Sequence, residues 1–194
     1  MKKIQDHYFK EARKQGYVAR SAFKLEEMDR KFRLLRRGQH VIDLGCAPGS
    51  WLQYAAKKVL PEGSLTGVDL KQVKIQFPES VRIFQSDISM LEESILASSR
   101  FDLVLSDMAP DTTGIPSVDS QRSYDLNSQA LSFAQRHLKP GGTLVLKAFQ
   151  GEPLNRLKSE IRACFESFKL FKPKSSRSES VEIFVLGFGL LPQS

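Results

Sequence analysis

The stretch from His40 to Leu52, H-V-I-D-L-G-C-A-P-G-S-W-L, constrains the fold more than any other part of the chain. Val41, Ile42 and Leu44 form a short β-branched and apolar run that breaks at Gly45. Pro48-Gly49-Ser50 then reads as a tight turn, and Trp51 to Leu60 resumes with apolar residues at helical spacing. A strand, a glycine turn and a helix in that order open an α/β nucleotide-binding fold. Two glycines let the main chain approach a ligand where a Cβ would collide, and the free N–H groups of the new helix face the same place. The stretch predicts a small ligand above the end of the first strand; the alternative is an αβ corner that holds nothing.

What the turn lacks narrows the ligand. A dinucleotide fingerprint needs G-x-G-x-x-G and a phosphate-binding loop needs Gly-Lys-Ser/Thr, because both cradle phosphates. D-L-G-C-A-P-G-S-W has neither, so a ligand gripped by its phosphates is disfavoured and a nucleoside with an amino-acid tail fits better. The pattern D-x-G-x-x-P-G resembles the first motif of S-adenosylmethionine-dependent methyltransferases.

The rest of the chain alternates as a doubly wound sheet does. Leu65 to Asp69 reads as strand two, Val81 to Ser86 as strand three, Asp102 to Ser106 as strand four and Thr143 to Phe149 as strand five. Ser123 to Leu138 reads as a helix stopped by Lys139-Pro140-Gly141-Gly142, and Leu154 to Ser167 as the next. Phe168 to Phe171 and Glu182 to Phe188 supply strands six and seven, separated by the polar stretch 174–180, while Phe77-Pro78-Glu79 reads as loop. At 194 residues one domain suffices. Cys46 and Cys164 are the only cysteines and have no metal-ligand spacing, so both are expected to be packing residues in a reducing compartment. With no apolar leader and no membrane-length run, the expectation is a soluble, cytoplasmic, monomeric protein without a metal.

Charge is segregated. The net +7 comes entirely from residues 1–37, which hold twelve Lys and Arg against five Asp and Glu, while residues 38–194 hold seventeen of each sign. A basic head on a neutral body is the footprint of a polyanion-binding element, and RNA is the expected partner; the bland alternative is a solvated amphipathic helix. Ser21 is expected to cap a helix whose stripe is Phe23, Leu25, Met28, Phe32 and Leu35, with Arg20, Lys24, Lys31 and Arg33 shown to the substrate.

Asp69, Asp87 and Asp107 each close or follow a strand, so all three can face one crevice at the carboxyl ends of a parallel sheet. Asp69 stands where an acid accepts from ribose hydroxyls, and Asp87 where one accepts from an adenine amino group, with Ile88 against the ring. Lys147 lies inside the apolar strand L-V-L-K-A-F, where a charge is costly unless paired or functional. An amine desolvated near a second cation gives up its proton more readily and can serve as a base. Lys24 is the expected second cation, and Glu182, polar in an apolar strand, is expected to orient the pair.

R-S-A-F-K-L (20–25), D-L-G-C-A-P-G-S-W (43–51), S-D-M-A-P (106–110), L-K-A-F-Q-G (146–151) and S-S-R-S-E-S-V-E-I-F (175–184) resemble, in order, the motifs of the FtsJ/RrmJ family of ribose 2′-O-methyltransferases. The resemblance spans nearly the whole chain. It implies a Rossmann-like methyltransferase domain over residues 1–194, with a seven-stranded sheet, the last strand antiparallel, and residues 1–37 as an RNA-binding extension. It places the family's catalytic tetrad on Lys24, Asp107, Lys147 and Glu182, and its S-adenosylmethionine contacts on Gly49, Trp51, Asp69, Asp87 and Asp107. The implied target is a uridine in the A-loop of large-subunit ribosomal RNA. Methylation of a transfer-RNA anticodon loop, or RNA binding without catalysis in ribosome assembly, are the other readings. Cys46, Ser50 and Asp111 depart from the usual residues, and Asp111 adds a negative charge near the RNA path.

Overall fold

The computed structural model describes residues 2–91, 100–177 and 179–192, and the side chains from position 7 onward. Seven strands form one sheet: β1 (His40–Leu44), β2 (Ser64–Asp69), β3 (Val81–Gln85), β4 (Phe101–Ser106), β5 (Leu138–Phe149), β6 (Phe165–Phe171) and β7 (Glu182–Leu190). Their order is β3-β2-β1-β4-β5-β7-β6. The first five run parallel, whereas β7 is antiparallel to both of its neighbours. After β3 the chain crosses to β4 on the other side of β1, so the direction of winding reverses beside β1, where such sheets open a crevice.

Side chains on the central strands alternate between two cores. Val41, Leu103, Leu105, Val145 and Phe184 face α1 (Lys2–Lys14), α2 (Ala22–Phe32) and α3 (Ser50–Val59). Ile42, Leu44, Val104, Leu144, Leu146 and Val185 face α4 (Pro116–His137) and α5 (Pro153–Cys164). Covering both faces explains why the strands read as nearly continuous apolar runs. Each fully buried Val, Leu or Ile contributes about 1.5–3 kcal/mol relative to exposure.

Several boundaries differ from the sequence reading. The fourth helix begins at Pro116, not Ser123: proline at its first position is pre-set for helix, and the Asp119 carboxylate reaches back to Thr113 N (2.7 Å) and Gly114 N (3.1 Å). Strand five starts at Leu138, taking in the Lys139–Gly142 segment expected to be a stop, and strand six starts at Phe165, three residues earlier than expected. Ser21 is not a side-chain cap; its hydroxyl shares a 2.7 Å hydrogen bond with that of Ser50. Nor does α2 show all its cations outward, for Lys24 is buried. The buried Asp29 on the same helix is satisfied by Leu35 N (2.8 Å) and the Tyr54 hydroxyl (2.8 Å). Cys46 is packed as expected, while Cys164 is half-buried and its sulfur accepts from Gln135 Nε2 (2.9 Å). No helix of the described residues is long and apolar enough to cross a membrane.

Candidate active site

Gly45 lies at the floor of a crevice above β1, and Gly49 shapes the turn beside it. Both have positive φ, 77° and 108°. A Cβ on Gly45 would come within 2.7 Å of Met108, and one on Gly49 within 2.9 Å of Ile75, so the close approach of these loops requires glycine. The resulting cavity, about 450 Å³, is of a size suited to a nucleoside-sized ligand. Asp69, Asp87, Asp107 and Lys147 all line it, together with Ser21 and Asp111.

The carboxylates are held differently. Asp69 accepts from Ala47 N (2.8 Å) and Lys71 N (2.7 Å), which ties the glycine turn to the end of β2 and leaves lone pairs directed at the cavity. Asp87 is exposed and caps the short 3₁₀ turn Ile88–Met90 by accepting from the hydroxyl and amide of Ser89, bonds that hold its pKa below the ordinary carboxylate value. Asp107 Oδ1 lies 2.9 Å from Lys147 Nζ, yet that oxygen has no aligned hydrogen-bond donor; the amine donates instead to the Asp107 carbonyl at 2.5 Å.

A second ion pair joins α2 to β7. Lys24 Nζ and Glu182 Oε2 are 2.7 Å apart, and both side chains are largely buried. Burial pushes Glu182 up, but the charge and hydrogen bond of Lys24, with a further contribution from Lys147, leave its pKa below the ordinary value. Lys147 pairs in register with Phe184, two residues from Glu182 on the same face of β7, so the two ion pairs sit side by side. Trp51 Nε1 donates to Ser21 O at 2.8 Å, and with the Ser21–Ser50 bond this clamps the start of α2, and hence Lys24, to the start of α3.

Six of the eight expected site residues are therefore grouped: Lys24, Asp69, Asp87, Asp107, Lys147 and Glu182. Of these, Asp69, Asp87, Asp107 and Lys147 line the crevice and the Lys24–Glu182 pair adjoins it beside Lys147, while Gly49 and Trp51 are not among the crevice-lining residues. The indole of Trp51 is buried against Phe184, with ring centroids 5.9 Å apart, and Gly49 presents only main chain, so their route to a ligand is through the amides at the start of α3. Sequence reasoning missed Asp43. It is fully buried on β1 and neither carboxyl oxygen has a partner among the described residues. Burial first, then the charges of Asp107 and Asp69, push its pKa well above the ordinary value against the opposing effect of Lys147. Its place in D-L-G was visible, but not its isolation.

Comparison with known proteins identifies the fold's lineage. Residues 17–190 match the model of the FtsJ-like methyltransferase family. The chain belongs to that family. A relative from Desulfatibacillum aliphaticivorans, named ribosomal RNA large subunit methyltransferase E, is 46% identical over 95% of this chain and 90% of its own. One of the same name from Oleidesulfovibrio alaskensis is 43% identical over 97% of this chain and 93% of its own. A Plasmodium falciparum structure described as a ribosomal RNA methyltransferase superposes with a TM-score of 0.81 at 27% identity, covering 91% of this chain and 100% of that one. Within this FtsJ-like frame the seven-stranded sheet with antiparallel β7, expected from the motifs, is observed.

The crevice fits S-adenosylmethionine, the methyl donor that the family implies. Its floor includes Gly45, where a side chain would collide, its walls offer the carboxylates of Asp69, Asp87, Asp107 and Asp111 to a ligand bearing hydroxyls and amino groups, and the buried Asp107 Oδ1 still needs a donor. Among the described residues no group of three or more His, Cys, Asp or Glu side chains is placed to hold a metal ion.

Proposed function

We infer that the chain methylates the 2′-hydroxyl of an RNA ribose, and that the target is a uridine in the A-loop of large-subunit ribosomal RNA. The observation that carries the reaction is the pair of adjoining ion pairs, Lys147–Asp107 and Lys24–Glu182, with the first at the wall of the glycine-floored crevice. The names of the relatives support the ribosomal target, and the resemblance of the five motifs supports the nucleotide.

When bound, S-adenosylmethionine supplies a methyl group on a sulfonium whose departure leaves a neutral thioether, so the protein's tasks are alignment and proton removal. Asp69 holds the ribose hydroxyls of the donor, Asp87 its adenine amino group, and Asp107 Oδ1 its amino-acid ammonium. Lys147 Nζ receives or steers the proton of the substrate 2′-hydroxyl, and the carbonyl and carboxylate of Asp107 fix that nitrogen in place. Lys24 positions the substrate ribose or its phosphate, and Glu182 fixes Lys24. The basic head, residues 1–37, gathers the RNA. One chain supplies every group, which supports action as a monomer, and the ribosomal RNA named for the relatives supports a cytoplasmic setting.

The test is transfer of label from S-adenosylmethionine to separated ribosomal and transfer RNA by the purified protein, followed by alkaline hydrolysis. Label in an alkali-resistant dinucleotide from large-subunit RNA is expected. Label confined to transfer RNA overturns the target, and label on a base overturns the chemistry.

A further inference from the structure

The end of the molecule opposite the crevice carries a second set of cations. Arg33 to Gln39 precede the first residue of β1 and Lys58 is next to last in α3, so both lie at the amino ends of the strands, whereas the crevice lies beyond their carboxyl ends. Here Arg30, Arg33, Arg36 and Lys58, with Leu35 and Asp29, line an open concavity of about 660 Å³. Arg33 and Arg36 also wall a neighbouring hollow of about 250 Å³ that includes Lys139.

Three features separate this cluster from an ordinary solvated helix end. First, neighbouring cations are neutralised while these are not: Arg37 pairs with Glu62 and Lys139 with Asp102, yet among the described residues no carboxylate pairs with Arg30, Arg33 or Arg36. Second, the one acid in the wall is already used, since Asp29 accepts from Leu35 N and the Tyr54 hydroxyl, with Lys58 at 3.7 Å. Four positive charges against one negative leave the concavity at about +3. Third, Arg33 is the one non-glycine with positive φ among the described residues (55°), a conformation that places a long cation where a helix end usually takes glycine. Arg30, in the last turn of α2, and Arg33, its C-cap, line the same concavity.

We propose that this concavity is a second phosphate-binding site that holds the RNA backbone away from the reacting nucleotide, with Arg30, Arg33 and Arg36 as the phosphate ligands. Unpaired guanidiniums with five donors each suit phosphodiester oxygens, and such contacts add affinity and register without reading sequence. The site divides the basic head into a part near the crevice and a part that grips RNA at the far end of α2, where Arg30 lies about 9 Å along the helix from Lys24 at 1.5 Å per residue and Arg33 and Arg36 follow beyond the helix end. The inference rests on the RNA-methylating reading above.

The experiment measures binding of the full chain to protein-free large-subunit ribosomal RNA across a salt series. The triple variant R30Q/R33Q/R36Q is expected to bind more weakly and to lower the slope of log affinity against log salt by up to about three, close to one per lost phosphate contact, with S-adenosylmethionine affinity unchanged. R30K/R33K/R36K is expected to keep most of the slope, and each single glutamine variant to lose about one unit, which serves if the triple variant folds poorly. A wild-type slope in the single and triple glutamine variants overturns the proposal. Loss of binding only to intact subunits, with the RNA slope unchanged, also overturns it and points to an acidic protein surface. If the wild type itself shows no salt-dependent RNA binding, the functional reading fails first.

Discussion

Lys147 Nζ sits 2.9 Å from the Asp107 carboxylate and donates to the carbonyl of the same residue at 2.5 Å. Two oxygens of one residue thus fix the nitrogen at the end of β4, beside the crevice, while the cross-strand register places Glu182 on its other side. A lysine so held has little freedom to swing toward solvent. Its remaining donor direction is toward the cavity.

Replacing Lys147 with alanine should therefore abolish nearly all methyl transfer, on the order of 10²-fold or more, while cofactor and RNA binding persist. Lys147→Arg should fail as well, because a guanidinium stays protonated and cannot take up the hydroxyl proton. Single-turnover transfer with pre-bound RNA is the measurement. Wild-type turnover by the arginine variant would reduce Lys147 to a fixed positive charge.

Lys24 and Glu182 make a stability prediction with a definite sign. The folded pKa of Glu182 lies below its ordinary value, so the pair contributes stability above the unfolded pKa, near 4.3, and loses it as pH falls through the folded value. Lys24→Ala should remove that contribution, cost about 1–3 kcal/mol at neutral pH by leaving a largely buried carboxylate unpaired, and flatten the acid side of the stability profile. Urea unfolding at a series of pH values from about 3 to about 7 would show it. Adding Glu182→Gln to Lys24→Ala should recover part of the loss; a double variant no better than the single one speaks against the pairing.

Much of this was legible in the sequence because the relevant signals are local. β1, its glycine turn and α3 follow from one short run, and Asp69, Asp107 and Lys147 sit where strand ends put them. What was not legible depends on partners distant in the chain. Ser21 looks like a cap until α3 brings Ser50 against it, and Lys24, although expected beside Glu182, carries no sequence sign that it is buried. The start of α4 was hidden because P-S-V-D-S-Q-R-S reads as loop, and only the fold shows Asp119 closing the turn before it. Asp43 carries no sequence mark of being unpaired.

Asp43 should make the protein less stable as pH rises. Its folded pKa is well above the ordinary value, so the folded state keeps a proton that the unfolded state releases above about pH 4, and stability falls across the window up to the folded pKa. Asp43→Asn, neutral at every pH and nearly the same shape, should abolish that fall and leave the variant more stable than wild type at pH 8. Denaturant midpoints at pH 5 and pH 8 decide it. Parallel pH trends in the two proteins would mean that Asp43 finds a partner, such as a buried water, that keeps its charge.

Asp69 separates ligand binding from the integrity of the turn that forms the site. Its carboxylate already holds Ala47 N and Lys71 N, and it lines the cavity, so Asp69→Ala removes both the proposed grip on the donor's ribose and the tie between the glycine turn and β2. S-adenosylmethionine binding should weaken by about 1–3 kcal/mol, measured by calorimetry without RNA. Asp69→Asn keeps one oxygen that can accept from an amide, so it should preserve thermal stability better than alanine while still losing affinity, because a neutral amide accepts more weakly from hydroxyls than a carboxylate does. If asparagine restores affinity and stability together, Asp69 acts only on the turn. Wild-type affinity in the alanine variant would remove Asp69 from the donor site altogether.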